Sequence, residues 1–155
     1  ENATWRNAYL SAAIELTQGL PETPKLHRAL RDVPRSMSVL HMLDALSIRL
    51  NASRAAGKTF IVNWILSDSA ELAHSEICNC VLNHRDGNVS EAHATVTLAR
   101  SVIGQMSLES LNTNQFVDLV EAIEGNVDVV TELLGLLDHF PHWFPVASHD
   151  YKFEE

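Results

Sequence analysis

KTFIVNWILS, residues 58–67, constrains the fold more than any other stretch of this chain. β-Branched and aromatic residues dominate it, which is the composition of a strand. Alternation puts Phe60, Val62, Trp64 and Leu66 on one face. Ile61 and Ile65 fall on the other, with Asn63 between them. Both faces are therefore expected to be partly covered by other parts of the chain.

The neighbouring segments supply the partners. Asp68-Ser69 turns the chain, and Leu72–Cys78 and Val81–Arg85 read as the arms of a hairpin around Asn79-Cys80. Asp86-Gly87-Asn88 is the strongest turn signal present. Ala94–Leu98 makes a fourth short strand with Thr95 and Thr97 on one face. Upstream, Val39, Met42, Leu43, Leu46 and Leu50 share one face of a helix, with Ser36 as its expected cap. Between that helix and the strand, Gly57-Lys58-Thr59 resembles the end of the phosphate-binding GxxxxGK[ST] loop. Ala52 stands where that loop needs its first glycine, and helix-then-strand is the reverse of the order it needs. Gly57 reads instead as punctuation at a position wanting positive φ.

Helical spacing accounts for the remainder. Trp5, Ala8, Tyr9, Ala12 and Leu16 form a stripe over residues 4–18, closed by Gly19. It suits either a core helix or one that lay against a part of a longer parent protein. Leu98, Val102, Ile103 and Met106 mark another helix, and Phe116, Leu119, Val120 and Ile123 a further one. A last helix, Val127–His139, is expected to bury Val130, Leu133, Leu134 and Leu137. Residues 22–34 form a connector, FPHWFPV (140–146) is expected to lie back on the body, and SHDYKFEE is a frayed tail. Helix, antiparallel strands, then helices make an α+β layout.

Composition narrows the function. The 155 residues suffice for one domain, and 46% hydrophobic residues for a real core. A formal charge of −9 argues against nucleic acid and against electrostatic attachment to anionic membranes. The chain starts at Glu1 without a methionine and is expected to be a piece of something longer. Cys78 and Cys80 are expected to be free thiols. Eight histidines invite a metal, yet no HxH, HExxH or HxHxDH occurs, and the cysteines lack CxxC spacing. Each histidine reads as a surface or satisfied half-buried one, so no metal ligand is assigned. No GxSxG frames a serine, and the acidic residues fall mostly on polar faces, so no catalytic residue is assigned either. What stands out is apolar: it suits a packed core, or the lining of a cavity for an apolar ligand. Trp64, Leu133, Leu134 and Leu137 are the candidates for such a lining, with core packing as the alternative for each.

TWRNAYLSAAIEL (4–16), MLDALSIRLNASRAAGKTFIVNWILSDSAE (42–71), CVLNH (80–84), ATVTLAR (94–100) and ELLGLLDHF (132–140) together resemble the C-terminal end of bacterial zinc-dependent alkylsulfatases. The resemblance implies a sterol-carrier-protein-like fold: a mostly antiparallel sheet of about four to five strands covered by helices, preceded by an extra helix. Residues 1–20 would be the last helix of a dimerisation domain, 21–33 a linker, 34–147 the sterol-carrier-like domain and 148–155 a tail. The parent would hydrolyse alkyl sulfates with two zinc ions held by an HxHxDH-type motif absent from this chain, which itself needs no cofactor. Implied partners are an aliphatic ligand or alkyl sulfate, the rest of the parent and a second copy through it, in the periplasm or outside the cell. A structural domain supporting the dimer without a ligand is the alternative, and an independent enzyme a third reading. The chain departs from the family twice: Cys80 stands where glycine is usual, and a shortened stretch before Glu124-Gly125-Asn126 is expected to truncate or remove a final edge strand near Ala122–Glu124.

Overall fold

The computed structural model describes residues 3–19, 36–108, 111, 113–138 and 147. The connector over 22–34, the FPHWFPV segment, the tail and His139 lie outside the described residues. The chain forms two compact units, one of Glu1–Arg28 with Pro141–Glu155 and one of Ala29–Phe140.

In the first unit, α1 (Ala3–Gln18) ends where Gly19 takes φ 80° and its amide donates to the Glu15 carbonyl at 3.0 Å. Glu15 is buried, and its carboxylate accepts from the Ala147 amide at 2.9 Å. The apolar stripe is not core: Trp5, Tyr9 and Leu16 are 63%, 68% and 73% exposed. The rings of Trp5 and Tyr9 lie 6.2 Å apart on that open surface.

The second unit is built on a five-stranded sheet in the order β3-β2-β1-β4-β5. Its strands are β1 (Phe60–Leu66), β2 (Leu72–Cys78), β3 (Val81–Asp86), β4 (Ala94–Leu98) and β5 (Ala122–Gly125). β1 sits in the middle, antiparallel to β2 and parallel to β4. The alternation in KTFIVNWILS holds: Phe60, Val62, Trp64 and Leu66 are buried on the inner face, Ile61 and Ile65 half-buried on the outer. Asn63 is buried on the outer face because its side-chain amide clamps the loop before β4. It donates to the Val89 carbonyl at 2.9 Å and accepts from the Val89 amide at 3.1 Å. A buried polar side chain is tolerated when both of its ends are satisfied in this way.

The hairpin turn falls where expected. Asn79 and Cys80 both adopt positive φ, 52° and 64°, and Cys78 pairs with Val81 across the turn. Both cysteines are free thiols. Gly57 takes φ 74° between helix and strand.

α2 (Val39–Ser47) is shorter than its apolar spacing suggests. Ser38, not Ser36, is the N-cap, accepting from the His41 amide at 3.3 Å. Val39, Met42, Leu43 and Leu46 are buried, each worth roughly 1.5–3 kcal/mol of apolar transfer. Leu50 lies beyond the helix and bridges to Leu137. α3 (Arg100–Leu108), α4 (Thr113–Leu119) and α5 (Val127–Gly135) complete the unit. Leu98 closes β4 and is not part of α3. Ile123 is not helical either, because it pairs with Val96 in β5. β5, expected to be truncated or lost, is present: it pairs with β4 from Thr97↔Ala122 to Ala94↔Gly125. Pairing with an available strand overrides the short helical spacing that runs through Ile123. α5 ends at Gly135, so Leu137 and Asp138 follow the helix instead of extending it.

Two polar anchors tie these helices and the segments that flank them together. The Arg100 guanidinium joins the Glu71 carboxylate to the Met37 carbonyl. Glu71 also accepts from Ser69 at 2.8 Å and from the Val39 amide at 3.4 Å. Burial alone would raise the proton affinity of Glu71, but the hydrogen bonds from Arg100 and Ser69 outweigh it and hold the carboxyl below its usual range. At the other end Arg49 donates to the carbonyls of Asp138, at 2.9 Å, and Met106, at 2.6 Å. Asp138 in turn pairs with Arg54.

Candidate functional site

The inner face of the sheet brings the candidate residues into one apolar cluster. Trp64 on β1 and Leu133 on α5 are 0% and 1% exposed, among Val62, Leu66, Val96 and Leu98. α5 packs against β1 and β4, which is why its Val130 and Leu133 point inward. Leu134 and Leu137 sit at the border of the cluster, half-buried against it, Leu137 beyond the helix end. Two of the four candidates are thus sealed in the core and two lie at its edge.

Sequence reasoning missed the polar groups on the same face. Trp64 pairs with Ala73 and Val62 with Ser75, so Ser75 lies beside the indole. His84 pairs with Ser75 across the next strand gap. The Trp64 indole N–H donates to Ser75 Oγ at 2.6 Å, and Ser75 Oγ lies 2.7 Å from His84 Nδ1. Indole only donates, so the serine oxygen accepts there and its own hydrogen is free to go to Nδ1. The neutral His84 ring then carries its proton on Nε2, a buried atom with no hydrogen-bond partner. Burial pushes the His84 pKa down to about 4; Asp44 on α2 opposes this and His74 adds to it. The period-2 alternation of LAHSEIC already put Ser75 with Ala73 and Ile77, which was the available signal for an inner serine.

The other described histidines are accounted for locally. His74 is buried with Nδ1 2.8 Å from the Gly87 carbonyl, His41 lies against the Ser38 cap, and His93 Nδ1 accepts from the Ile61 amide at 3.2 Å. His27, His142 and His149 lie outside the described residues. Among the described residues no three His, Cys, Asp or Glu side chains gather as a metal site. Ser75 is 2% exposed and spends its hydroxyl between Trp64 and His84, which leaves no accessible nucleophile there.

Comparison with known proteins gives this arrangement its context. The family described as "Alkyl sulfatase C-terminal" matches residues 28–148. The chain is 37% identical over 152 residues to an alkyl/aryl-sulfatase of Saccharomyces cerevisiae, covering 96% of this chain and 23% of that protein. It is 31% identical over 150 residues to a linear primary-alkylsulfatase of Pseudomonas sp, covering 96% and 22%. The chain thus spans less than a quarter of the length of these relatives. A stereoselective inverting sec-alkylsulfatase from Pseudomonas superposes with a TM-score of 0.66 at 29% identity, over 95% of this chain and 23% of that one. Palmitated SCP2L2 from Aedes aegypti shares the fold alone, with a TM-score of 0.50 at 18% identity over 69% of this chain and all of that one. The chain belongs to the alkylsulfatase C-terminal family, and its sheet and helices form an α+β, sterol-carrier-protein-like domain.

Proposed function

We propose that the domain is the accessory part of an alkylsulfatase that binds the aliphatic chain of its substrate. The parent enzyme would hydrolyse alkyl sulfate to alcohol and sulfate with zinc held outside this chain. The observation that carries this reading is the apolar cluster between β1 and α5. Residues 1–20 would then be the last helix of the dimerisation domain, 21–33 the linker, 34–147 the binding domain and 148–155 a tail. Two facts support setting α1 apart from the binding domain: the family match begins only at residue 28, and α1 carries Trp5, Tyr9 and Leu16 on an open surface. The parent would pair with a second copy through that helix.

One observation favours a second reading. Trp64 and Leu133 are as buried as any core side chain, which suits a structural domain that supports the dimer without a ligand. Titration calorimetry with octyl, decyl and dodecyl sulfates and the matching uncharged alcohols, below the critical micelle concentration, separates the two. At about 0.8 kcal/mol per methylene, the step from octyl to dodecyl is worth about 3 kcal/mol, on the order of a hundredfold in affinity. Replacing the sulfate by the uncharged head should change affinity little, because an unpaired buried sulfate would be too costly and the head stays in water. Affinity that follows the head group and ignores the tail, or no binding at all, leaves the structural reading standing.

A further inference from the structure

His84 is a half-buried titratable group, with its Nε2 out of solvent, that neither reading uses. It lies on the inner face of β3, two residues from Leu82, whose carbonyl accepts from Ser47 of α2 at 2.7 Å. Asp44, one helical turn before Ser47 on the helix that packs against β3, is the carboxylate whose charge favours the protonated ring. From β2 the only group acting on it electrostatically is His74, on the outer face. On its own strand Asp86 shares the inner face and Arg85 the outer. The ring therefore meets a hydroxyl that uses it as an acceptor and feels the charge of a carboxylate on α2.

We propose that the Trp64–Ser75–His84 chain is an acid-operated latch between the sheet and α2. In the closed form Nδ1 is unprotonated and takes the Ser75 hydroxyl hydrogen, which in turn orients the Ser75 oxygen toward the Trp64 indole. A proton added at Nδ1 ends that acceptor role. The Ser75 hydrogen must then turn away from Nδ1, and the imidazolium is drawn toward Asp44. Because α2 contributes Val39, Met42, Leu43 and Leu46 to the core, a shift of the ring toward it disturbs the contact that seals the apolar cluster over β2 and β3. Opening is local to α2, since β1 and β4 keep their ladder and their cover by α5.

The sign is fixed by linkage. A histidine kept neutral in the folded state contributes its full stability above pH 6.5 and loses it as the pH falls toward about 4. The test is amide hydrogen exchange on the full chain, read as protection factors from pH 7 to pH 4, with the Trp64 indole N–H and the His84 ring followed by NMR. Protection at Met42–Leu46 should fall by up to roughly 300-fold over that interval. Protection at Val62–Leu66 should hold, and the indole signal should move with the titration of the His84 ring. His84→Gln should abolish the acid response at Met42–Leu46. Equal loss in α2 and β1 means plain acid unfolding and overturns the latch. So does a His84 ring that titrates near pH 6.5, or an indole signal that stays still while the ring titrates. If His84→Gln does not fold, the comparison of α2 with β1 in the unaltered chain decides alone.

Discussion

Replacing Cys80 by glycine should stabilise the protein. Asn79 and Cys80 occupy the two central positions of the β2–β3 hairpin turn with φ of 52° and 64°, the primed geometry that matches the twist of paired strands. Asn79 suits it, because asparagine visits the left-handed region with little penalty. Cys80 does not: its Cβ crowds the following carbonyl, at a cost of about 1 kcal/mol. The thiol is half-buried and belongs to no disulfide, so its loss removes little packing. Glycine relieves the crowding, and for a chain of this size a gain of about 1 kcal/mol corresponds to a rise of roughly 2–4 °C in the midpoint. Thermal unfolding of the wild type, Cys80→Gly and Cys80→Ala measures it. Alanine keeps the Cβ and discards the sulfur, so it should leave the midpoint unchanged or lower it. An unchanged or lower midpoint for Cys80→Gly, or an equal rise for Cys80→Ala, would refute the reasoning, since the effect would then not come from backbone conformation.

Gly125→Ala should destabilise the fold by about 2 kcal/mol or more, because φ is 88° and an added Cβ would lie 2.6 Å from the His93 carbonyl oxygen. Chemical denaturation measures the loss, and a wild-type midpoint would show that β5 is not held against β4 at this point. The pure chain supplied with zinc should release no sulfate from dodecyl sulfate, because a metal-activated water needs three or more fixed ligands. Zinc-dependent sulfate release by this chain would place a catalytic site in residues that carry no such set among those described.

The parts of the fold that could be read from the sequence are those whose signal is local. The alternation around Trp64, the turn at Asn79-Cys80 and the glycine at 57 each depend on a few adjacent residues, and each stands in the structure. The failures come where a distant partner decides. Ile123 fits a helical face with Phe116, Leu119 and Val120, but Val96 is available to pair with it, and β5 forms instead. Ser36 and Ser38 both suit a helix cap, and the Glu71 carboxylate on the Val39 amide helps decide for Ser38. Nothing local showed that β4 would lie parallel to β1, because that placement rests on the Asn63–Val89 clamp and on the His93 amide donating to the Ile61 carbonyl. His84 was unreadable for the same reason: a histidine two residues after Leu82 becomes distinctive only once Ser75 lies beside it and the charge of Asp44 acts on it.

The same distinction bears on where an alkyl chain would enter. Trp64 is fixed at both ends, by complete burial of its ring and by the hydrogen bond to Ser75, so displacing it would strand a buried N–H at a cost of about 1–3 kcal/mol. Leu133 faces the same cluster from α5 and is 1% exposed. Leu134 and Leu137 are half-buried and free of polar ties through their side chains, and Leu137 lies past the helix end in a single bridge to Leu50. Moving them costs only apolar contacts, which an incoming chain would replace. If the domain takes an alkyl chain as proposed, entry along the Leu134–Leu137 border, leaving Trp64 in place, is the arrangement that asks least of the fold. It also makes the border leucines, more than the tryptophan, the positions where substitution should change affinity for a long chain before it changes stability.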